Sequence, residues 1–257
     1  LDHELTGSAS APTLVLLHAG GMSRREWRPF LPAFGEHFRV LAPTALGHGR
    51  SPRAPSFTVR MQVDAVLSLL DHLGIEAASF VGSSLGGVTA LTLALTHPRR
   101  VQQLVLYRSG FRHGSAALDS LRRFATEENW SAWGLKRWME REHDPQGGPS
   151  AWTEVIRAVA AALEPPLAGP PITEEDLAGI GIPVLLIGGD RDPLVPLQEL
   201  VGMYQAIPNA SLWVVPHAGH IMAMESWRRP AFELEVLRFL TRRKAGPESR
   251  AHNGQES

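Results

Sequence analysis

The sequence predicts an α/β protein with a mostly parallel, doubly wound sheet and a helical insert between two of its strands. Short apolar runs of strand length alternate with longer segments whose apolar residues recur at helical spacing, which is typical of a parallel sheet covered by helices on both faces. The stretch 109–180 interrupts this alternation because it contains no run typical of a strand. With 257 residues, 44% hydrophobic and 20% charged, the chain is long enough for one large domain with a sizeable core.

The first half of the chain supplies four predicted strands and three predicted helices. The strands are the apolar runs Thr13–His18, Phe38–Ala42, Ala78–Val81 and Val101–Tyr107. The helices between them are Arg24–Phe34, Thr58–Leu73 and Leu85–Thr96. The second helix has the clearest pattern, because its apolar residues fall at helical spacing and Gly74 follows it as a stop signal. The segment Pro43–Ser51 is a predicted loop.

The second half resumes the alternation after the insert. The predicted strands are Pro183–Ile187 and Ser211–Val215. A predicted helix follows each of them, Pro196–Ala206 and Ser226–Arg243 respectively. We therefore expect residues 1–108 and 181–243 to form the core and residues 109–180 to form a helical cap. The polar tail 244–257 is expected to be disordered.

The insert carries four of the seven tryptophans of the chain, Trp130, Trp133, Trp138 and Trp152. One interpretation is that these side chains pack the insert onto the core. The other is that some of them line an apolar pocket. Under the second interpretation Trp130, Trp133 and Trp138 are candidate substrate-binding residues, and the substrate is a small apolar or aromatic molecule.

Composition excludes several classes of protein. The absence of cysteine excludes a disulfide scaffold, a Cys-ligated metal or iron–sulfur site and a cysteine nucleophile, and it fits a reducing compartment. A net charge of -1 argues against nucleic acid as the main partner. No apolar run approaches the roughly 20 residues that span a bilayer, and the N-terminus has no signal-peptide pattern. We expect a cytoplasmic protein with neither a membrane nor a nucleic-acid partner.

The strongest chemical motif is Gly82-Ser83-Ser84-Leu85-Gly86, which matches G-x-S-x-G. It follows an apolar strand and opens an apolar helix, as a nucleophile elbow does. Glycines suit such a turn because neighbouring backbones approach closely there. The pattern makes Ser84 the predicted nucleophile, since the spacing does not favour Ser83.

A serine nucleophile needs a base and an orienting carboxylate. His220 follows the last predicted strand and is the preferred base, with His217 as the weaker choice. Asp192 lies further into the loop after the preceding strand than Asp190, so Asp192 is the preferred acid. The two histidines at i, i+3 suggest a metal only weakly, because no third ligand is evident.

Attack on a carbonyl also needs an oxyanion hole. The backbone N–H of Leu85, directly after the nucleophile, is one predicted donor. The loop after the first strand should supply the other, at Gly20 or Gly21, while His18 at the strand end is expected to be structural. The sequence contains no HExxH, no Walker loop and no GxGxxG after a strand, so we expect no metal and no cofactor.

Together these segments resemble the α/β-hydrolase superfamily. The matching motifs are LVLLHAGG, GHGRS, GSSLGG, HPRRV, GDRDPLVP and HAGH, in the order of the family. The resemblance implies a lid over the active site, at the position of the insert 109–180, and carries Ser84, Asp192 and His220 onto the catalytic triad. Two departures stand out: the usual His-Gly is His18-Ala19 here, and Thr44 replaces a usual aspartate.

Three functions follow from the resemblance. The first is a serine hydrolase that cleaves a small ester, lactone or related carbonyl compound. The second is a carbon–carbon bond hydrolase of a ring-fission product, whose carboxylate would need a basic residue of the insert. The candidates for that residue are Arg122, Arg123, Lys136 and Arg137. The third is a ligand-sensing protein on a hydrolase scaffold, against which the complete triad argues.

Overall fold

The computed structural model describes residues 1–111, 115–124, 126–132, 134–165, 167, 169–220 and 228–242. These residues form one seven-stranded sheet with the strand order β1-β3-β2-β4-β5-β6-β7. The strands are β1 (His3–Thr6), β2 (Thr13–Leu17), β3 (Arg39–Pro43), β4 (Ala78–Ser83), β5 (Val101–Tyr107), β6 (Val184–Gly189) and β7 (Ala210–Val215). Strands β2 to β7 are parallel, and β1 is antiparallel to β3.

Helices connect the parallel strands. The α-helices are α1 (Leu31–Gly35), α2 (Val59–His72), α3 (Leu85–Thr96), α4 (Ser115–Phe124), α5 (Glu127–Ala132), α6 (Lys136–His143), α7 (Ala151–Ala162), α8 (Glu174–Ala178), α9 (Leu197–Ala206) and α10 (Arg229–Thr241). Within the described residues, 3₁₀ segments span Arg24–Phe30, Pro98–Arg100 and Asp144–Gln146. None of the described helices is both long and apolar enough to cross a membrane.

The six predicted strands are present, but the sheet has a seventh that the sequence analysis missed. Strand β1 has the polar sequence HELT and pairs at the edge of the sheet, with Leu5 opposite Leu41. An edge strand lacks a partner on one side and is often short and charged. The apolar run that indicates a central strand is therefore absent from β1.

The predicted helix Arg24–Phe34 is divided in two. Arg24–Phe30 is a 3₁₀ helix, and α1 begins at Leu31. Pro29 and Pro32 have no N–H and cannot donate to the carbonyl four residues earlier, which disfavours one continuous α-helix. The predicted last helix is represented by α10, while residues 221–227 and the tail 244–257 lie outside the described residues.

Neighbouring residues of the central strands belong to opposite faces of the sheet. Phe80 of β4 packs in a core with α2, α3 and α9, whereas Val81 packs in a second core with the segment around Trp27 and with Phe232 of α10. The central strands, such as β4 and β6, are therefore buried on both faces, which explains their continuous apolar sequences. Because the strands are parallel, their carboxyl ends meet at one edge of the sheet.

The insert between β5 and β6 is helical in its described residues, as predicted. Val159 and Ala162 of α7 lie in the same apolar core as Leu85 and Val88 of α3. Trp152 packs with Trp130 in a small core within the insert. The insert therefore lies on the side of the core where α3 begins.

The insert is also held to the core by buried hydrogen bonds. The side-chain amide of Gln146 donates to the carbonyls of Gly49 and Ser51, both at 2.8 Å. Arg53 Nε donates in return to the carbonyl of Gln146 at 2.6 Å. The segment after α6 is thereby tied to the loop that follows β3.

Candidate active site

The predicted nucleophile Ser84 lies on a sharp turn between β4 and α3. Its φ is +50°, in the left-handed region that non-glycine residues rarely adopt. The turn is tight, because a Cβ on Gly82 would lie 2.6 Å from the Cα of Gly87 and a Cβ on Gly86 would overlap the carbonyl of Leu17. The glycines of the motif therefore allow β4, α3 and β2 to approach closely enough to hold Ser84 at the edge of the sheet.

The predicted base and acid lie on the adjacent loops and form a hydrogen-bonded line with Ser84. His220 Nε2 is 3.1 Å from Ser84 Oγ, and His220 Nδ1 is 2.8 Å from Asp192 Oδ2. The other oxygen, Asp192 Oδ1, accepts the N–H groups of Leu194 and Val195 at 2.8 and 3.0 Å. With the carboxylate accepting from Nδ1–H, Nε2 carries the lone pair that can accept the serine proton.

His217 and Asp190, the alternative base and acid, are not part of this hydrogen-bonded line. His217 is exposed. Asp190 accepts the N–H of Ala218 at 3.1 Å, and backbone hydrogen bonds, first that of His217, lower the pKa of Asp190. Asp190 thus binds the turn before His220. The hydroxyl of Ser83 instead belongs to a buried hydrogen-bond network with Glu26 and Arg108.

Burial controls the charge of His220. Loss of solvation lowers the pKa of His220 from its ordinary value of 6.5, and the neighbouring Asp192 only partly offsets that shift. The imidazole is therefore neutral at neutral pH. A neutral imidazole is the form that can act as a general base.

The two predicted loop donors, Gly20 and Gly21, differ in whether the backbone N–H already has an acceptor. The N–H of Gly21 donates to His48 Nε2 at 3.1 Å, and the N–H of Ala19 donates to Glu26 Oε2 at 2.7 Å. Among the described groups, none accepts the N–H of Gly20. Leu85 is the first residue of α3, so its N–H has no partner within the helix. Of the two candidate loop donors, Gly21 has its N–H engaged by His48, whereas the N–H of Gly20 has no acceptor among the described groups.

Three buried histidines, His18, His48 and His143, fix the loops around this site. Each ring has one nitrogen that accepts a backbone N–H, from Ala45, Gly21 and Gly49 respectively. The other nitrogen of each ring lies 2.8–3.1 Å from a carbonyl, that of Ala19, Leu46 and Gly21 respectively. Burial lowers the pKa of all three, so each ring is a neutral link with one donor and one acceptor.

Of the three predicted substrate-binding tryptophans, the structure places Trp130 beside the loop of Gly21. A Cβ on Gly21 would lie 3.1 Å from the Trp130 ring. Trp138 is half-buried and makes an edge contact with His143, at 6.4 Å between ring centroids. Trp133 lies outside the described residues.

The four basic candidates of the insert lie on its exposed surface. Arg122 pairs with Glu164 at 2.9 Å, and Lys136 pairs with Glu127 at 2.9 Å. Arg123 and Arg137 are exposed as well. Within the part of the chain that the structure describes, no group of three or more His, Asp or Glu is arranged to hold a metal ion.

The strand order, the sharp turn before α3 and the position of the site at the carboxyl edge of the sheet define an α/β-hydrolase fold. A sequence profile of the Alpha/beta hydrolase family matches residues 14–233. The chain belongs to that family.

Similar proteins include several with named activities. A relative from Caulobacter sp. (strain K31), named "Putative carbamate hydrolase RutD", is 32% identical, with 94% of this chain and 96% of the relative covered. The 3-oxoadipate enol-lactonase 1 of Acinetobacter baylyi is 27% identical, with 88% of each chain covered. The crystal structure of the enol-lactonase from Burkholderia xenovorans LB400 superimposes with a TM-score of 0.74 at 26% identity, over 94% of this chain and 96% of that one.

The buried histidines predict a loss of stability in acid. The unfolded chain binds protons near pH 6.5, whereas His18, His48 and His143 have lowered pKa values in the folded protein. Stability should therefore fall as the pH drops below 6.5, by up to about 1.4 kcal/mol per pH unit for each histidine that stays neutral. The measurement is the free energy of unfolding in urea between about pH 7.5 and about pH 5.

A single substitution tests which residues cause this dependence. His48→Gln should flatten the slope of stability against pH, while His37→Gln, at an exposed position, should leave the slope unchanged. An unchanged slope in His48→Gln would show that the buried cluster is not responsible.

The close approach at the elbow gives a second prediction. Gly86→Ala should lower the free energy of unfolding by about 1–3 kcal/mol or more, since the new methyl group would overlap the carbonyl of Leu17. Gly202→Ala in α9 is the matched control, because a Cβ there meets nothing within 4 Å and alanine favours a helix. Equal stability of the two variants in thermal unfolding would contradict the prediction.

Proposed function

We propose that this protein is a serine hydrolase that cleaves a small ester, lactone or related carbonyl compound through an acyl-enzyme. The observation that carries the proposal is the hydrogen-bonded line from Ser84 through His220 to the buried carboxylate of Asp192. A serine hydroxyl is a poor nucleophile by itself, and this line supplies both the base and the group that fixes the tautomer of the base.

The geometry supports the following sequence of steps. Ser84 Oγ attacks the carbonyl carbon while His220 Nε2 takes the hydroxyl proton. The tetrahedral intermediate collapses, and the leaving alkoxide takes that proton from His220, which leaves an acyl group on Ser84. Water then attacks the acyl carbon while His220 Nε2 takes a proton from the water. The second tetrahedral intermediate collapses, Ser84 Oγ takes that proton from His220, and the carboxylic acid is released.

Two backbone N–H groups are proposed to stabilise the oxyanion. Leu85 contributes the N–H at the beginning of α3, where the helix dipole also favours negative charge. Gly20 contributes the second, since the N–H groups of Ala19 and Gly21 already have partners. Loss of one such donor typically costs about 3–4 kcal/mol of transition-state stabilisation.

The substrate class is inferred from the insert and from the relatives. We propose that the insert 109–180 acts as the lid, because Val159 of α7 would overlap a Cβ on Gly20 and Trp130 lies against Gly21. Apolar side chains therefore border the proposed oxyanion loop, which favours an apolar acyl group. The names of two relatives, a carbamate hydrolase and an enol-lactonase, both denote cleavage of a carbonyl–heteroatom bond.

The other functions find less support. A carbon–carbon hydrolase would use a basic residue of the insert for the substrate carboxylate, yet Arg122 and Lys136 are bound to acidic residues on the exposed surface. A ligand sensor has no need of the base and acid beside Ser84. The ester or lactone hydrolase is therefore the function that we propose.

A labelling experiment tests whether Ser84 is the nucleophile. A fluorophosphonate probe should add once, to Ser84, and peptide mapping by mass spectrometry should locate the adduct. Ser84→Ala should abolish labelling and lower the turnover of p-nitrophenyl esters by up to about a millionfold. The control is Ser79→Ala in β4, the strand that leads to Ser84, and this variant should label like the wild type. An adduct at another residue would refute the assignment of Ser84.

Substitution of the two aspartates tests which of them is the acid of the triad. Asp192→Asn should lower kcat by roughly 10⁴-fold, because an amide that donates to Nδ1 favours the wrong tautomer of His220. Asp190→Asn should have a much smaller effect, since Asp190 binds the backbone of the turn at His217 and Ala218 and not His220. Steady-state kinetics of both variants provide the measurement, and a larger loss in Asp190→Asn would reverse the assignment.

A further inference from the structure

A buried arginine beside the proposed triad takes no part in the mechanism above. Arg108 follows β5, and its side chain is only 5% exposed. Three nitrogens of the guanidinium have separate partners: Nε donates to Ser83 Oγ at 2.9 Å, Nη2 donates to Glu26 Oε1 at 2.7 Å, and Nη1 donates to the carbonyl of His220. The arginine thus contacts three different segments of the chain.

Its acidic partner extends the same network. Glu26 lies in the 3₁₀ helix after β2, and its side chain is only 4% exposed. Oε1 accepts the hydroxyl of Ser83 at 3.1 Å as well as Arg108. Oε2 accepts the N–H of Ala19 at 2.7 Å. Every polar atom of the Glu26 side chain is therefore bound to a group next to the proposed active site.

The partners of this pair are direct neighbours of the reacting groups. Ser83 precedes the nucleophile Ser84, and Ala19 precedes the oxyanion donor Gly20. The carbonyl held by Arg108 belongs to the base, His220, itself. One ion pair thus joins the three loops that supply nucleophile, oxyanion donor and base.

We propose that the Arg108–Glu26 pair positions these three loops relative to one another, and that both residues are positioning residues for the hydrolysis. This inference rests on the proposed function. The planar fork of arginine suits the task, because it holds several acceptors in fixed directions where an ammonium group would act as a point charge. The reacting groups need such fixing, since small displacements greatly reduce the rate of an oriented reaction.

Stability alone does not account for the pair. A buried ion pair is costly to desolvate and is often replaceable by apolar residues without loss of stability. Arg108 also has a φ of +46°, an unfavourable value for a residue with a side chain. Its N–H is bound to the carbonyl of Ile187 at 2.7 Å, so the backbone is held in that conformation at the end of β5. A costly conformation thus directs the guanidinium toward the three loops.

The pair also acts on the charge of the base. Burial and Asp192 have the largest effects on the pKa of His220; beyond these, Arg108 lowers it and Glu26 raises it. The two variants that remove one charge should therefore move the acid limb of the pH profile in opposite directions. Arg108→Met should move the limb to higher pH, and Glu26→Gln should move it to lower pH. A role confined to folding would produce neither shift.

The experiment compares the rate of fluorophosphonate labelling of Ser84 across pH in the full chain. Arg108→Met and Arg108→Lys should both label about 10- to 100-fold more slowly than the wild type, because neither side chain can hold three acceptors. Arg108→Lys keeps the positive charge, so its acid limb should stay near that of the wild type. With p-nitrophenyl butyrate as substrate, kcat should fall while KM changes little.

The matched control is Arg100→Met. Arg100 lies just before β5, at the opposite end of the strand that Arg108 follows, and it also binds a carboxylate and a carbonyl, those of Asp71 and Ile75. This variant should label at the wild-type rate with an unmoved acid limb. Circular dichroism establishes that each variant is folded. If Arg108→Met does not fold, then Arg108→Lys and the uncharged double variant Arg108→Met/Glu26→Gln provide the comparison.

Two outcomes separate the inference from the function on which it rests. If the wild type labels at Ser84 and the folded Arg108 variants label equally fast, the pair is only structural and the inference is wrong. If the wild type does not label at Ser84, the proposed function is wrong, and the inference is wrong with it.

Discussion

At Ser84 the chain passes from β4 into α3 with a φ of +50°, and there is space for that turn because Gly82, Gly86 and Gly87 have no side chains. The turn brings the beginning of α3 against the end of β2, since a Cβ on Gly86 would overlap the carbonyl of Leu17. The loop after β2 and the N–H groups at the helix N-terminus therefore meet at the serine. The rest of the proposed site is arranged around this contact between backbones, which leaves little freedom in the position of the proposed oxyanion.

Polar rather than apolar contacts determine how the loops at this edge of the sheet are arranged. The sheet itself is held by two apolar cores, one on each face. At its carboxyl edge the chain leaves regular structure, and the freed N–H and carbonyl groups need partners. Neutral imidazoles such as that of His48 supply one donor and one acceptor each, and the Arg108–Glu26 pair links loops that lie farther apart along the chain. A buried network of this kind specifies one arrangement, because any shift leaves polar groups unsatisfied.

The sequence predicted β2 to β6 because strands buried on both faces have continuous apolar runs. Of the two edge strands, β7 was predicted because its sequence is mostly apolar, whereas β1 was missed because its sequence HELT is polar. The sequence also indicated Ser84, Asp192 and His220, whose motifs are local. The sequence did not decide whether Gly20 or Gly21 is the better candidate for the second oxyanion donor. The acceptor of the Gly21 N–H is His48, which is 27 residues away in the chain. Glu26 and Arg108 are 82 residues apart, and no local pattern reports a pair of that kind. The one sequence signal for Arg108 is that a charged residue directly follows a buried strand.

The bonds of Gln146 to Gly49 and Ser51, with that of Arg53 to Gln146, make the insert less modular than its place in the chain suggests. A foreign insert without residues equivalent to Gln146 and His143 would leave the carbonyls of the β3 loop without donors, and the N–H of Gly49 would lose the acceptor that His143 provides. A chimera designed to change substrate preference would therefore have to exchange the β3 loop together with the insert. The two segments form one structural unit, although almost a hundred residues separate them.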